Sequence, residues 1–110
     1  MSDYESDYIV ISAEEAKKLI TSEKVTILDV RDPRSYRSGH IDGARLLHDD
    51  LEVVLLEEAE FEKPILLYCY RGVESKKKAE HFARMGFRRV YSLDNGFTGW
   101  PRGDSDVARS

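Results

Sequence analysis

Cys69 is the only cysteine in the 110-residue chain. It follows the apolar run Pro64-Ile65-Leu66-Leu67-Tyr68 and opens the segment Tyr70-Arg71-Gly72-Val73-Glu74-Ser75, after which a helical pattern begins. A thiol at the end of a strand, ahead of a glycine-containing turn into a helix, is set up to become a thiolate. The first N–H groups of a helix have no intrahelical partner and its dipole places about half a positive charge there, so both favour an anionic sulfur. Arg71 is expected to add a full charge beside it. The alternative is a structural cysteine that packs as a small hydrophobe on a buried strand. Its place before Arg, Gly and a helix argues for chemistry instead.

The positions that could serve that sulfur follow from the same segment. Backbone N–H groups of Tyr70 through Ser75 can form a concave nest for negative charge, and Gly72 permits the curvature. Arg31 lies at the end of another apolar run, where it either pairs with a neighbouring carboxylate or adds positive field. Asp29 in that run reads as structural, an acceptor for nearby loop N–H groups. His40, His48 and His81 show no ligand spacing, and a single cysteine rules out a cysteine-rich metal site. One cysteine also allows no internal disulfide, which fits a reducing compartment.

The net charge of −4 is unevenly spread: 16 acidic and seven basic side chains precede Lys63, against five acidic and ten basic from Lys63 onward. The positive half carries Cys69, and a positive field there would draw small anions to a thiolate. Lys77, within Lys76-Lys77-Lys78, reads more simply as part of a solvated helix face. An acidic chain without a basic-aromatic motif is not expected to bind nucleic acid. No apolar run is long enough to span a bilayer, so no membrane partner is expected. The acidic, polar start resembles neither a signal nor a transit peptide, which makes cytoplasmic the expected location. A monomer is the expected state.

Stepping from these residues to the elements that hold them, the chain reads as alternating strands and helices. Tyr8–Ile11 is a short strand, and Ser12 with Glu15 forms a capping box for a helix that carries Ala16, Leu19 and Ile20 on one face. Val25–Val30 is a buried strand, Asp32-Pro33 starts a short helix through Tyr36, and Ala44–Leu47 is a short strand. Asp49-Asp50 precede a helix over about Leu51–Glu58, and Pro64 breaks the chain before the strand Ile65–Tyr68. Ser75–Met85 is helical with Ala79, Phe82 and Ala83 inward and Gly86 at its C-terminus; Arg89–Ser92 is the last strand. Phe97 and Trp100 read as core anchors. This pattern predicts an α/β domain with a mainly parallel sheet of about five strands, with ligands at the carboxyl ends of the strands. The expected division is a polar N-terminal tail over 1–7, the domain over 8–101 and a loose tail over 102–110.

Three motifs in this order resemble the rhodanese-like domain family of sulfurtransferases, and small single-domain members in particular. They are Leu28-Asp29-Val30-Arg31-Asp32-Pro33-Arg34-Ser35-Tyr36 with Gly39-His40-Ile41-Asp42-Gly43-Ala44, then Cys69 through Ser75, then Val90 through Trp100. The resemblance covers about Ile9 to Trp100. It implies a rhodanese-like fold and sulfur transfer from a donor such as thiosulfate to cyanide or a thiol through a Cys69 persulfide, with no metal or cofactor. It implies Cys69 as nucleophile and Tyr70, Arg71, Gly72, Val73, Glu74, Ser75 and Arg31 around the substrate, with Arg71 on the sulfonate oxygens and Ser75 capping the helix and donating its hydroxyl. Its implied partners are a small anionic donor and a thiol or protein acceptor.

Glu74 puts a carboxylate in that loop. Turned inward it would repel an anionic donor, so the expected arrangement is outward and solvated, paired with Lys78 one turn on. Two other function classes stand beside the enzyme: a persulfide carrier or regulatory binding module without turnover, and a cysteine phosphatase. Phosphatases related to this fold need an arginine six positions after the cysteine, and Ser75 stands there.

Overall fold

The computed structural model describes residues 7–103 and 106–109, so the expected N-terminal tail lies outside it apart from Asp7. In chain order the elements are β1 (Ile9–Ile11), α1 (Ala13–Ser22), β2 (Thr26–Asp29), α2 (Pro33–Ser38), β3 (His40–Ile41), β4 (Arg45–Leu46), α3 (Asp49–Glu57), β5 (Ile65–Tyr68), α4 (Glu74–Arg84) and β6 (Val90–Leu93). A 3₁₀ turn over Gly96–Gly99 and a strand β7 (Val107–Ala108) follow. Five strands form one parallel sheet in the order β1-β6-β5-β2-β4. The expected sheet is thus present, with β5, the strand that ends at Cys69, in its centre.

All four side chains of β5 are buried, which explains its unbroken apolar sequence. Their alternation serves two cores. Leu66 and Tyr68 join Ile27, Leu93 and Ala16 on one face, while Ile65 and Leu67 join Leu28, Val90, Ala79 and Phe82 on the other. Helices therefore cover both faces, and the carboxyl ends of the strands are left for the loops.

The helix ends follow local chemistry. Ser12 and Glu15 exchange the two capping-box bonds, at 3.0 and 2.9 Å, as expected. Asp32 caps α2 by accepting from the Ser35 N–H, with Pro33 in the first turn. His48 caps α3, its Nδ1 accepting from the Leu51 N–H at 3.3 Å, so Asp49 and Asp50 are the first residues of that helix rather than its preface. Carboxylates suit that positive end of the dipole. At the end of α4 the Gly86 N–H donates to the Ala83 carbonyl and the Phe87 N–H to the Phe82 carbonyl, the paired bonds of a Schellman motif.

The C-terminal segment corrects the expected loose tail over 102–110. Val107 and Ala108 pair antiparallel with Ile41 and His40, and the Asp106 carbonyl accepts from the Trp100 indole N–H at 2.9 Å and the Asp42 N–H at 3.1 Å. Lys17 adds an ion pair to the Asp106 carboxylate at 2.7 Å. The strand itself pairs with β3, far away in the chain, and two residues carry no periodic signal of their own. Residues 104, 105 and 110 lie outside the described residues. No helix among the described residues is long and apolar enough to cross a membrane.

Phe82 has no exposed surface and packs between α4 and β5. Phe82→Ala is expected to lower the unfolding free energy by about 3–5 kcal/mol, seen as a lower urea midpoint at unchanged slope.

Candidate active site

Cys69 stands one residue beyond β5 and is 5% exposed. The chain then turns through Tyr70–Val73 into α4, and the turn wraps back around the sulfur. The Gly72 N–H donates to Sγ at 3.1 Å and the Ser75 N–H at 3.3 Å, while Ser75 Oγ lies 3.6 Å away. Ser75 Oγ is itself 2.8 Å from Ser92 Oγ on β6, and both serines are fully buried. A buried hydroxyl relay therefore runs from the core to the sulfur.

Two glycines make this turn possible. Gly72 has φ +93, and a Cβ there would press on the Asn95 nitrogen at 3.1 Å and the Leu93 oxygen at 3.2 Å. Gly96 has φ +53, and a Cβ there would fall on the backbone of Cys69 and Tyr70. That close approach lets the Phe97 N–H donate to the Cys69 carbonyl at 2.9 Å and the Thr98 N–H to the Tyr70 carbonyl at 3.0 Å. The 3₁₀ turn is the brace of the cysteine loop.

Burial pushes the Cys69 thiol up, but the Ser75 hydroxyl and the N–H groups of Ser75, Gly72 and Arg71 outweigh it and hold the thiol below its ordinary range. Hydrogen bonds to a charged group contribute roughly 1.5–3 kcal/mol each, so several converging on one sulfur can exceed the loss of hydration. Dipoles do this work. The Arg71 side chain is exposed, and its main-chain N–H is what acts on the thiolate, which corrects the expected full charge beside the sulfur.

The other expected site residues fall in distinct places. Gly72 and Ser75 are buried under the sulfur; Tyr70, Arg71, Val73 and Glu74 are exposed around it. Ser75 is not the helix cap, because α4 begins at Glu74 and Val73 occupies the cap position without a side-chain bond. Glu74 points outward as expected, but Lys78 turns instead to Glu52 of α3, at 3.8 Å. His81 meets the same carboxylate at 2.6 Å, so α3 supplies a better partner than a neighbour on the same helix.

Arg31 is committed to Asp29. Its Nε donates to both carboxylate oxygens at 3.0 and 3.1 Å, and its Nη2 donates to Oδ2 and to the Gly39 carbonyl, both at 2.7 Å. Asp29 also accepts the Arg31 N–H at 2.8 Å and the Tyr68 hydroxyl at 2.6 Å, the structural role its position implied. His40 is buried, with Nδ1 2.7 Å from the Tyr36 carbonyl and its ring stacked on Tyr36. The sequence reading missed Ser92 and Tyr68. A small hydroxyl residue in the short, mostly apolar run Val90-Tyr91-Ser92-Leu93 was the available signal for the first.

A family model for the rhodanese-like domain matches residues 12–102. The chain is 41% identical over 90 residues to the thiosulfate sulfurtransferase GlpE of Pseudoalteromonas translucida, covering 82% of this chain and 86% of that protein. It is 32% identical over 103 residues to the protein of the same name from Vibrio cholerae, covering 94% and 97%. Among solved structures, the crystal structure of a rhodanese-like domain protein from Staphylococcus aureus superposes with a TM-score of 0.75 at 27% identity, over 93% of this chain and 98% of that one.

Two substitutions probe the site. Ser75→Ala removes a donor that lowers the Cys69 pKa, so the thiol pKa is expected to rise and iodoacetamide alkylation at neutral pH to slow, while the wild-type rate falls off only at lower pH. Asp29→Asn leaves the Arg31 charge buried without its partner and is expected to cost about 3–5 kcal/mol of stability in urea unfolding.

Proposed function

Since the chain belongs to the rhodanese-like domain family, we propose that it is a sulfurtransferase that carries sulfane sulfur as a persulfide on Cys69. The observation that supports this most directly is the set of neutral groups converging on Sγ: two backbone N–H donors and the buried Ser75 hydroxyl, which accepts from the neutral thiol and can turn to donate to the thiolate. The relatives named thiosulfate sulfurtransferase suggest thiosulfate as a donor.

In the loading step the Cys69 thiolate attacks the outer sulfur of thiosulfate. A new S–S bond forms, the bond between the two thiosulfate sulfurs breaks, and sulfite leaves with the electron pair. The product persulfide keeps its negative charge on the outer sulfur, where the remaining N–H groups of Tyr70 through Glu74 receive it as an anion nest. No general base is required, because the nucleophile is already favoured in its ionised form. In this reading the exposed Arg71 guanidinium meets the sulfonate oxygens of the incoming donor, a task suited to its fork of donors. Glu74, exposed beside it, is screened by solvent and reduces that attraction without entering the nest.

In the unloading step cyanide or a thiolate attacks the outer sulfur and Cys69 leaves as the thiolate. The cycle returns the enzyme unchanged and calls for no cofactor. A reducing cytoplasm suits a mechanism that needs a free thiol at each turn.

The reading is tested by exposing the protein to thiosulfate and measuring intact mass, followed by thiocyanate release on adding cyanide. One added sulfur on Cys69, catalytic thiocyanate release, and loss of both in Cys69→Ser are expected. A loaded persulfide without turnover would point to a sulfur carrier instead, and an unloaded Cys69 with every donor would remove both.

A further inference from the structure

A pocket of about 280 Å³ lies beside the cysteine loop, and Tyr70 lines it. Four arginines reach it from four points in the chain: Arg31 after β2, Arg34 on α2, Arg102 after the 3₁₀ turn and Arg109 after β7. Among the described residues no carboxylate lines it. Only Arg31 is neutralised, by Asp29; Arg34, Arg102 and Arg109 make no ion pair with a described residue. Elsewhere Lys17, Lys63, Lys78, Arg84, Arg88 and Arg89 are paired with carboxylates, and the cations without an ion pair to a described residue, such as Lys24, Arg37 and Lys77, do not converge on this cavity. In a chain of net charge −4, three arginines around one cavity with no ion pair to a described residue are a local reversal of sign.

The pocket is also built rather than incidental. The Phe97 ring carries the guanidinium carbon of Arg31 at 4.3 Å and that of Arg102 at 4.1 Å. Stacking on an aromatic face leaves the N–H edges of a guanidinium available for anionic oxygens. The pairing of β7 with β3, His40 opposite Ala108, runs Arg109 toward Gly39 at the end of α2. The same Phe97 holds the Cys69 carbonyl through its N–H, so the floor of the pocket and the brace of the nucleophile are one residue.

We infer that this pocket binds the anionic groups of a small organic thiol that carries at least two carboxylate or phosphate charges and whose sulfur exchanges with Cys69. One negative charge would leave two of the three free cations repelling each other, whereas a dianion or trianion offsets them. The cavity suits a small molecule, and its shared wall, Tyr70, follows the nucleophile directly. The thiol's role rests on the sulfurtransferase reading; the anion site does not. In the exchange the ligand's thiolate attacks the outer sulfur of the Cys69 persulfide, the S–S bond breaks, Cys69 keeps the electron pair, and the ligand departs as its own persulfide.

Two unreactive thioethers, methylthiosuccinate and 2-(methylthio)ethyl phosphate, read the site without sulfur transfer when titrated calorimetrically into the whole chain at pH 8, with the neutral diamide of the first as control. Saturable binding of at least one dianion is expected, weakened at least tenfold in the double variant R34Q/R109Q, in the diamide and by added salt, and the two arms separate carboxylate from phosphate recognition. Both substituted side chains are exposed and make no ion pair with a described residue, so the fold should persist, and circular dichroism checks it. Arg102→Gln gives a second, independent loss of affinity should the double variant unfold. Absence of saturable binding for both dianions, or binding that the folded variants or the diamide leave unchanged, overturns the inference. If Cys69 gains no sulfur from any donor while the thioethers still bind, the sulfurtransferase reading fails and the anion site stands.

Discussion

A carboxylate with no exposed surface, Asp29, holds the working end of the sheet together. Taking such a charge out of water costs several kcal/mol, and the return comes from the Arg31 fork, the Arg31 N–H and the Tyr68 hydroxyl together. Each of those partners leads elsewhere. Tyr68 lies opposite Asp29 in the β2–β5 register, so a slip of one residue would swing it to the other face and carry Cys69 with it. Its hydroxyl also accepts the Ile41 N–H at 3.1 Å, which ties in β3. Arg31 fixes the end of α2 through the Gly39 carbonyl and stacks on Phe97, the brace of the cysteine loop. One ion pair thereby sets the nucleophile, its support and one wall of the arginine pocket.

How far the sequence disclosed this depends on the range of the interactions. The apolar run at β5, the capping box at Ser12 and the glycine after α4 are local patterns, and each gave its element at nearly the right bounds. The parallel five-stranded sheet followed from the alternation of buried strands and helices. β7 was invisible because a two-residue strand has no period and is held by residues some 65 positions away, such as Ile41. The partners of long side chains were equally hidden. Lys78 has Glu74 one turn away by sequence, yet packing of α3 against α4 brings Glu52 to it and to His81. Arg71 shows the same limit at the site: its identity suggested a charge on the sulfur, while the fold uses its backbone and sends the side chain to solvent.

That difference separates two ways of stabilising an anion. A phosphoryl group needs a charged fork clamped over its oxygens, and at the sixth position after the cysteine such a fork would have to occupy the fully buried site of Ser75, against Ser92 and the sulfur. A serine there supplies a neutral dipole of the right length for a sulfur and little else. For the proposed persulfide cycle, fixed dipoles suit a sulfur that is charged both before and after loading, because they stabilise it without forming a tight contact ion pair that would have to break at each transfer. The full charges sit farther out, on Arg34, Arg102 and Arg109, where they can hold the carrier of the sulfur rather than the sulfur itself. In the proposed arrangement neutral donors at the reacting atom and cations at the ligand's far end divide reactivity from recognition, and the C-terminal strand supplies part of the second by delivering Arg109 to the pocket.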